Sequence, residues 1–244
     1  MSGHSKWNNI KHKKEKTDAQ RASVFTKIGK EMAIAVRESG PDPASNSKLA
    51  ALIAKAKSLN VPNDNIDRII KKAAGNDAAQ YEVVYYEGYG RGGVAVIVET
   101  TTDNRNRTAA EIRHYFDKYG GNMGTNGCVS FMFTDKGIIA IDAETVKDED
   151  KLMEDALECG ADDIEGDGES FMIYTDYLQV DKVAEALRGL GYEIASAESE
   201  KIPSTYTALT DPEQLEKFNK MIDIMEDNDD VQNVWHNLED DSED

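Results

Sequence analysis

The apolar positions change their spacing along the chain. Over residues 17–75 they recur every three to four positions, as on one face of a helix. Thr17 and Gln20 have capping-box spacing, Phe25, Ile28, Met32 and Val36 follow on one face, and Gly40-Pro41 ends the pattern. Asp42-Pro43 is placed to cap a second helix, because proline is tolerated in a first turn. Its stripe is Leu49, Leu52, Ile53, Ala56 and Leu59, and Asn60 and Pro62 stop it. A third helix, capped by Asn63, carries Ile66, Ile69, Ile70 and Ala73 inward and ends at Gly75. Three short helices with short connections predict a small helical domain over 17–77.

From Tyr81 the spacing turns to that of strands. Val- and Tyr-rich 81–86 and apolar 94–101 read as strands around a turn, 88–93, with four glycines. Thr108 and Glu111 form another capping-box pattern, opening a helix with Ile112, Tyr115, Phe116 and Tyr119 on one face. Gly120-Gly121 closes it, and 128–134 reads as a strand. Residues 137–198 then run strand 137–142, helix 148–159, strands 162–165 and 170–175 around the hairpin signal Asp167-Gly168, helix 180–190 and strand 192–198. That is the β-α-β-β-α-β order of ferredoxin-like units. A strand at 201–209, a helix opened by Asp211-Pro212 and running to about 225, and a strand at 230–238 complete the pattern.

The predicted fold class is therefore α+β. A small N-terminal helical domain precedes two α/β domains, ferredoxin-like or split βαβ, one inserted in the other. The outer one comprises 78–134 plus 201–238, and the inserted one 135–200. Residues 1–16 form an arm, and 239–244 an acidic tail expected to be disordered.

Charge sharpens this division. Residues 1–75 hold 15 Lys/Arg against 7 Asp/Glu, a net of +8, whereas 76–244 hold 13 against 40, a net of −27. The basic end attracts polyanions and the remainder repels them. A protein that coats DNA non-specifically would not be built this way, but one that touches nucleic acid only through its N-terminal end could be. Two cysteines without CxxC spacing, no apolar leader at the start and no apolar run near the roughly 20 residues of a bilayer span predict a reduced, cytoplasmic, non-membrane setting.

The arm is the first candidate for chemistry. Lys6, Lys11, Lys13, Lys14 and Lys16 suit phosphates, while Trp7, His4 and His12 suit stacking on bases or fitting against ribose. The competing reading is a solvated terminus, or one whose Trp7 packs on the protein itself. The second candidate is the loop 100–108, TTTDNRNRT, which puts Arg105 and Arg107 just before a helix N-terminus. Unpaired helix amides with two guanidiniums suit a phosphate, and local pairing with carboxylates suits the same residues equally. The glycine-rich 120–127 follows a helix, precedes a strand and lacks the Gly-Lys-Ser/Thr ending, so it reads as a flexible connector rather than a nucleotide loop. His4, His12, His114 and His236 show no metal-ligand spacing, and no nucleophile motif is present, so neither cofactor nor catalysis is expected.

The segments SGHSKWNNIKHKK, VPNDNIDRIIKKA, YEGYG-x-GGVAVIVE, TTDNRNRTAAEIRH, GGNMG-x-NGCVSFMF and DVQNVWHNLE, in this order, closely resemble the YebC/PmpR family. The mitochondrial translational activator of cytochrome oxidase subunit I belongs to the same family. Arg91 stands where the family pattern has proline. The resemblance implies a helical N-terminal domain, two α/β domains with one inserted, and one of two functions. One is a probable transcriptional regulatory protein on promoter DNA. The other is a translation factor that binds the ribosome to relieve stalling at proline-rich stretches, with ribosomal RNA at the basic end and ribosomal proteins as the expected partners. Charge alone leans toward the ribosome, because an acidic body is easier to place against basic ribosomal proteins than along DNA.

Overall fold

The structure, a computed structural model, describes residues 18–75 and 79–239. In chain order its elements are α1 (Asp18–Ser39), α2 (Ser47–Ser58), α3 (Asn63–Ala73), β1 (Glu82–Tyr89), β2 (Ala95–Thr102), α4 (Arg105–Lys118), β3 (Asn122–Met123), β4 (Phe133–Asp142), α5 (Glu149–Cys159), β5 (Asp163–Gly166), β6 (Ser170–Thr175), α6 (Val180–Gly189), β7 (Ile194–Pro203), α7 (Pro212–Glu226) and β8 (Val231–His236). The described chain divides into two compact units, one within 17–131 and 209–238, the other within 132–208.

In the first unit, α1, α2 and α3 close around Ile28, Met32, Leu49, Ala56, Val61 and Ile66. The second helix begins later than Asp42-Pro43 suggests. Asp42 instead closes a turn, its carboxylate accepting from the Ala44 amide and its carbonyl from the Ser45 amide. Asn46 is the cap, and it is buried: Oδ1 accepts from the Leu49 amide while Nδ2 donates to the carbonyls of Ala35 and Gly40. One side chain thus ties the end of α1 to the start of α2. At the other end Asn60 takes a left-handed φ of 60°, and the Val61 amide returns to the Ala56 carbonyl. This Schellman-type turn buries Val61 and leaves Leu59 half exposed, so Val61 replaces Leu59 in the core.

The same unit contains a four-stranded antiparallel sheet ordered β3-β1-β2-β8. Strand alternation sends Val84, Tyr86, Val96, Val98 and Val231 to one face. There they meet Ile112 and Phe116 of α4 and Phe218, Met221 and Met225 of α7. Gly88 is required on β1: a Cβ there would lie 2.5 Å from the Asn122 carbonyl oxygen, so any larger residue would push β3 off the sheet.

The second unit is a ferredoxin-like sandwich. Its sheet order is β5-β6-β4-β7, antiparallel throughout, with α5 and α6 on one face. Ile139, Ile141, Phe171 and Ile173 pack beneath Leu152, Ala156, Val183 and Leu187. Asp148 caps α5 and Gly160 ends it at φ 103°. The Asp167 carboxylate accepts the amides of Glu169 and Ser170 and sets the hairpin as its sequence suggests.

Two predicted strands are not separate elements. Residues 130–132 form a 3-10 turn and Phe133 already belongs to β4, while of the predicted 201–209 strand only 201–203 lies in a strand, as the end of β7, with a single isolated bridge at Thr207. β4 and β7 pair from Phe133↔Pro203 up to Ile141↔Ile194, so these segments lengthen the inserted sheet instead of adding strands to the outer one. Apolar alternation reveals a strand but not the sheet it joins, which explains the difference.

Candidate nucleic-acid interface

His4, Lys6, Trp7, Lys11, His12, Lys13, Lys14 and Lys16 lie outside the described residues. Arg105 and Arg107 are described, and they sit inside the first turn of α4 rather than before it. The helix starts three residues ahead of Thr108 because Asn104, not Thr108, is the cap: its Oδ1 accepts from the Arg107 amide at 3.1 Å. The first turn carries no acid and two arginines, an arrangement opposed to the helix dipole.

The two arginines differ in their surroundings. Arg105 is exposed, and its guanidinium has no hydrogen-bond or ion-pair partner among the described residues. Its carbonyl accepts from the Tyr86 hydroxyl. Arg107 is paired twice, to Asp103 at 3.0 Å and to Asp230 at 2.7 Å.

Asp230 is the centre of this region. It is 5% exposed, and its carboxylate accepts from Lys30 of α1 (2.5 Å), Arg107 (2.7 Å), the Thr108 hydroxyl (2.7 Å) and the Thr102 hydroxyl (3.2 Å). Burial alone would raise its pKa. The bonds from Lys30, Arg107 and Thr108 outweigh burial and hold it at about 2. Around it, α1 reaches the turn between α7 and β8 with three more side-chain bonds. Ser23 donates to the Asp229 carboxylate, Lys30 to the Asp229 carbonyl, and Lys27 to the Glu226 carbonyl. Positions 23, 27 and 30 share one helix face. Sequence reasoning missed Lys30 and Asp230, which are 200 residues apart. The only local trace is the acidic run 226–230, which looks like any other in this chain.

The glycine-rich connector is pinned rather than free. Glu87, buried on β1, accepts from the amides of Gly127, Val129 and Ser130. Burial raises its pKa and these three bonds more than reverse that, leaving it below the usual carboxylate range. Gly124 fits against Cys128, whose Sγ would be 2.6 Å from an added Cβ. Among the described residues no group of three or more His, Cys, Asp or Glu is placed to hold a metal, and no helix is long and apolar enough to cross a membrane.

A helical N-terminal domain followed by α/β domains is the class of protein this chain matches. The model of the TACO1/YebC protein N-terminal domain matches residues 5–76, and that of the TACO1/YebC second and third domain matches residues 81–238. The chain belongs to the TACO1/YebC family. A "Probable transcriptional regulatory protein" of Acetivibrio thermocellus is 60% identical over 238 residues, covering 97% of this chain and 98% of that protein. One of the same name from Ruminiclostridium cellulolyticum is 55% identical, covering 100% and 98%. The crystal structure of a conserved hypothetical protein from Aquifex aeolicus superposes with a TM-score of 0.83 at 44% identity, covering 92% of this chain and 93% of that one.

Proposed function

We infer that this chain is a non-enzymatic regulator of gene expression, a DNA-binding transcriptional regulator that reaches nucleic acid through its N-terminal end. The charge polarity carries the N-terminal contact with nucleic acid, a net of +8 over residues 1–75 against −27 over the rest, and the choice of DNA over the ribosome rests on the name of the relatives. Only one end of such a molecule gains by approaching phosphates. The regulatory name borne by its relatives agrees with it. In this reading the arm lysines neutralise phosphates, and Arg105, exposed at the start of α4, adds a cation on the α/β body. Arg107 is the weaker candidate, because two carboxylates already hold it.

The test is a promoter-fragment binding assay beside ribosome co-sedimentation at one salt concentration. Deleting residues 2–16 abolishes most binding and leaves the thermal transition nearly unchanged. Binding weakens with salt at a log–log slope of roughly −0.9 per phosphate contact on duplex DNA. Equal binding by the fragment 76–244 would overturn the reading. A second reading, a ribosome-associated translation factor, is favoured by Trp7 in the arm. Its flat face can stack on an unpaired base, worth about 1–3 kcal/mol, and duplex DNA offers none. Trp7→Ala then weakens ribosome binding and spares promoter binding.

A further inference from the structure

We propose that the face of α1 carrying Ser23, Lys27 and Lys30 is a second polyanion-binding surface, occupied in this structure by the chain's own acidic turn 226–230. The inference rests on the nucleic-acid reading and extends it beyond the arm and Arg105 to one face of α1.

The turn has the composition of a polyanion, Glu226-Asp227-Asn228-Asp229-Asp230. It meets α1 as a phosphate backbone would, with oxygens directed at cations and a hydroxyl. The Asp229 carboxylate takes the Ser23 hydroxyl at 2.9 Å, the Asp229 carbonyl takes Lys30 at 2.8 Å, and the Asp230 carboxylate takes Lys30 at 2.5 Å. The Glu226 carbonyl takes Lys27. The contact is polar along these positions. A carboxylate and a phosphodiester compete for the same ammonium groups through the same hydrogen bonds.

The helical domain has its own apolar core. Lifting α1 off the turn therefore exposes cations without unmaking that core. Lys30 is 8% exposed, so a polyanion reaches it only by displacing the turn. Binding and docking of the helical domain are then mutually exclusive, and the acidic turn is an internal competitor that sets the affinity of the basic end. Arg107 and Thr108 hold Asp230 from α4, so Lys30 is released while the turn keeps those two partners.

The experiment uses the full chain with a fluorescent oligo-uridine 20-mer and a duplex of the same length. The variant Asp229→Asn/Asp230→Asn removes both charges and keeps the shape. It is expected to bind several-fold more tightly than the wild type. Its log–log salt slope on the single strand should steepen by about 0.7 for each lysine released. Adding Lys27→Gln and Lys30→Gln abolishes the gain. Local unfolding of the variant would mimic the gain, so hydrogen exchange of the wild-type protein provides a second measurement. Saturating oligonucleotide should accelerate exchange at the amides of 226–231. Tighter variant binding together with faster exchange supports the proposal, as does binding seen in the variant alone. A wild type that binds while its variant gains nothing, or while exchange at 226–231 is unchanged or slowed, overturns the proposal and leaves the nucleic-acid reading standing. Absence of binding by both proteins defeats both.

Discussion

The two sheets of this protein are built from the same parts and differ in what their interiors contain. Each has four antiparallel strands with two helices on one face. In the inserted unit the buried polar side chains are Ser170 and Thr175, and the ion pairs Lys136–Asp162 and Lys201–Asp135 lie on the surface. In the first unit Lys30, Asn46, Glu87, Thr100, Thr101, Thr102, Thr108, Asp230 and Asn237 are all buried. The inserted unit demonstrates that such a sandwich needs no polar cluster to form. The cluster of the first unit therefore answers a different need, the fixing of one segment against another. Asp230 fixes α1 against the sheet, Glu87 fixes the glycine-rich loop, and Asn46 fixes two helices end to end. Buried polar groups add little net stability and fix geometry, because only one arrangement satisfies them.

The largest effect expected from this contrast is at Asp230. Asp230→Ala leaves Lys30 buried without its counter-charge, a loss of about 3–5 kcal/mol. Asp162→Ala in the inserted unit removes a solvent-exposed pair with Lys136 and is expected to cost less than about 1 kcal/mol. Urea melts of both variants measure the gap, and equal losses would erase the distinction. Glu87→Gln comes next. A glutamine oxygen cannot serve all three amides, and its NH2 group would face one of them donor to donor. The expected loss is about 1–3 kcal/mol, with faster proteolysis within 124–131.

Acid provides a graded version of the first experiment. The Asp230 carboxyl is held at about 2, below its ordinary 3.8. Its contribution is therefore complete above about pH 4 and is lost as pH falls toward 2, about 2 kcal/mol in all. Glu87, lowered in the same direction, adds to the loss. Urea midpoints compared at pH 5.5 and 2.5 should fall less in Asp230→Asn than in the wild type. The same fall in both would remove Asp230 from the explanation.

Much of the fold was legible in the residues, and the reason is locality. Helix stripes such as Phe25 to Val36, the Asp167-Gly168 hairpin and the order of 137–198 depend on neighbours within a few positions. The misplaced features are those decided at a distance. Thr108 resembles a cap, but its hydroxyl is committed to Asp230, 122 residues away, and Asn104 takes the capping role. Residues 201–203 alternate as a strand should, yet their partners are Asp135, Thr134 and Phe133. Of the candidate site, Arg105 and Arg107 could be selected by composition. That one is exposed and the other held by Asp230 depends on a long-range ion pair that no local pattern encodes.

The smallest effect concerns Arg91, the departure from the family's turn. Its Nε donates to the carbonyl of Tyr119, the C-terminal cap of α4, at 3.1 Å. The guanidinium covers Gly120, where an added Cβ would lie within 2.6–2.7 Å of it. A cation at a helix C-terminus is worth about 0.3–1 kcal/mol through the dipole, and the hydrogen bond adds about as much. Arg91→Met keeps the chain length, removes both contributions and should lower stability by about 1 kcal/mol. Arg91→Pro removes the same contributions but stiffens the unfolded chain, which returns about 0.4–1 kcal/mol where the backbone suits proline. Arg91 opens a tight turn after the extended Gly90, a position where proline is favoured. Proline is therefore expected between wild type and Met in thermal melts, with the three separated by only a few degrees. Raising the salt should narrow the gap between arginine and methionine, because the charge part of the effect is screened. If methionine matches arginine at low salt, this contact does no more for stability than the exposed ion pairs of the inserted unit. Arg91 would then differ from Glu87 and Asp230 in kind, as a surface residue that happens to reach a carbonyl.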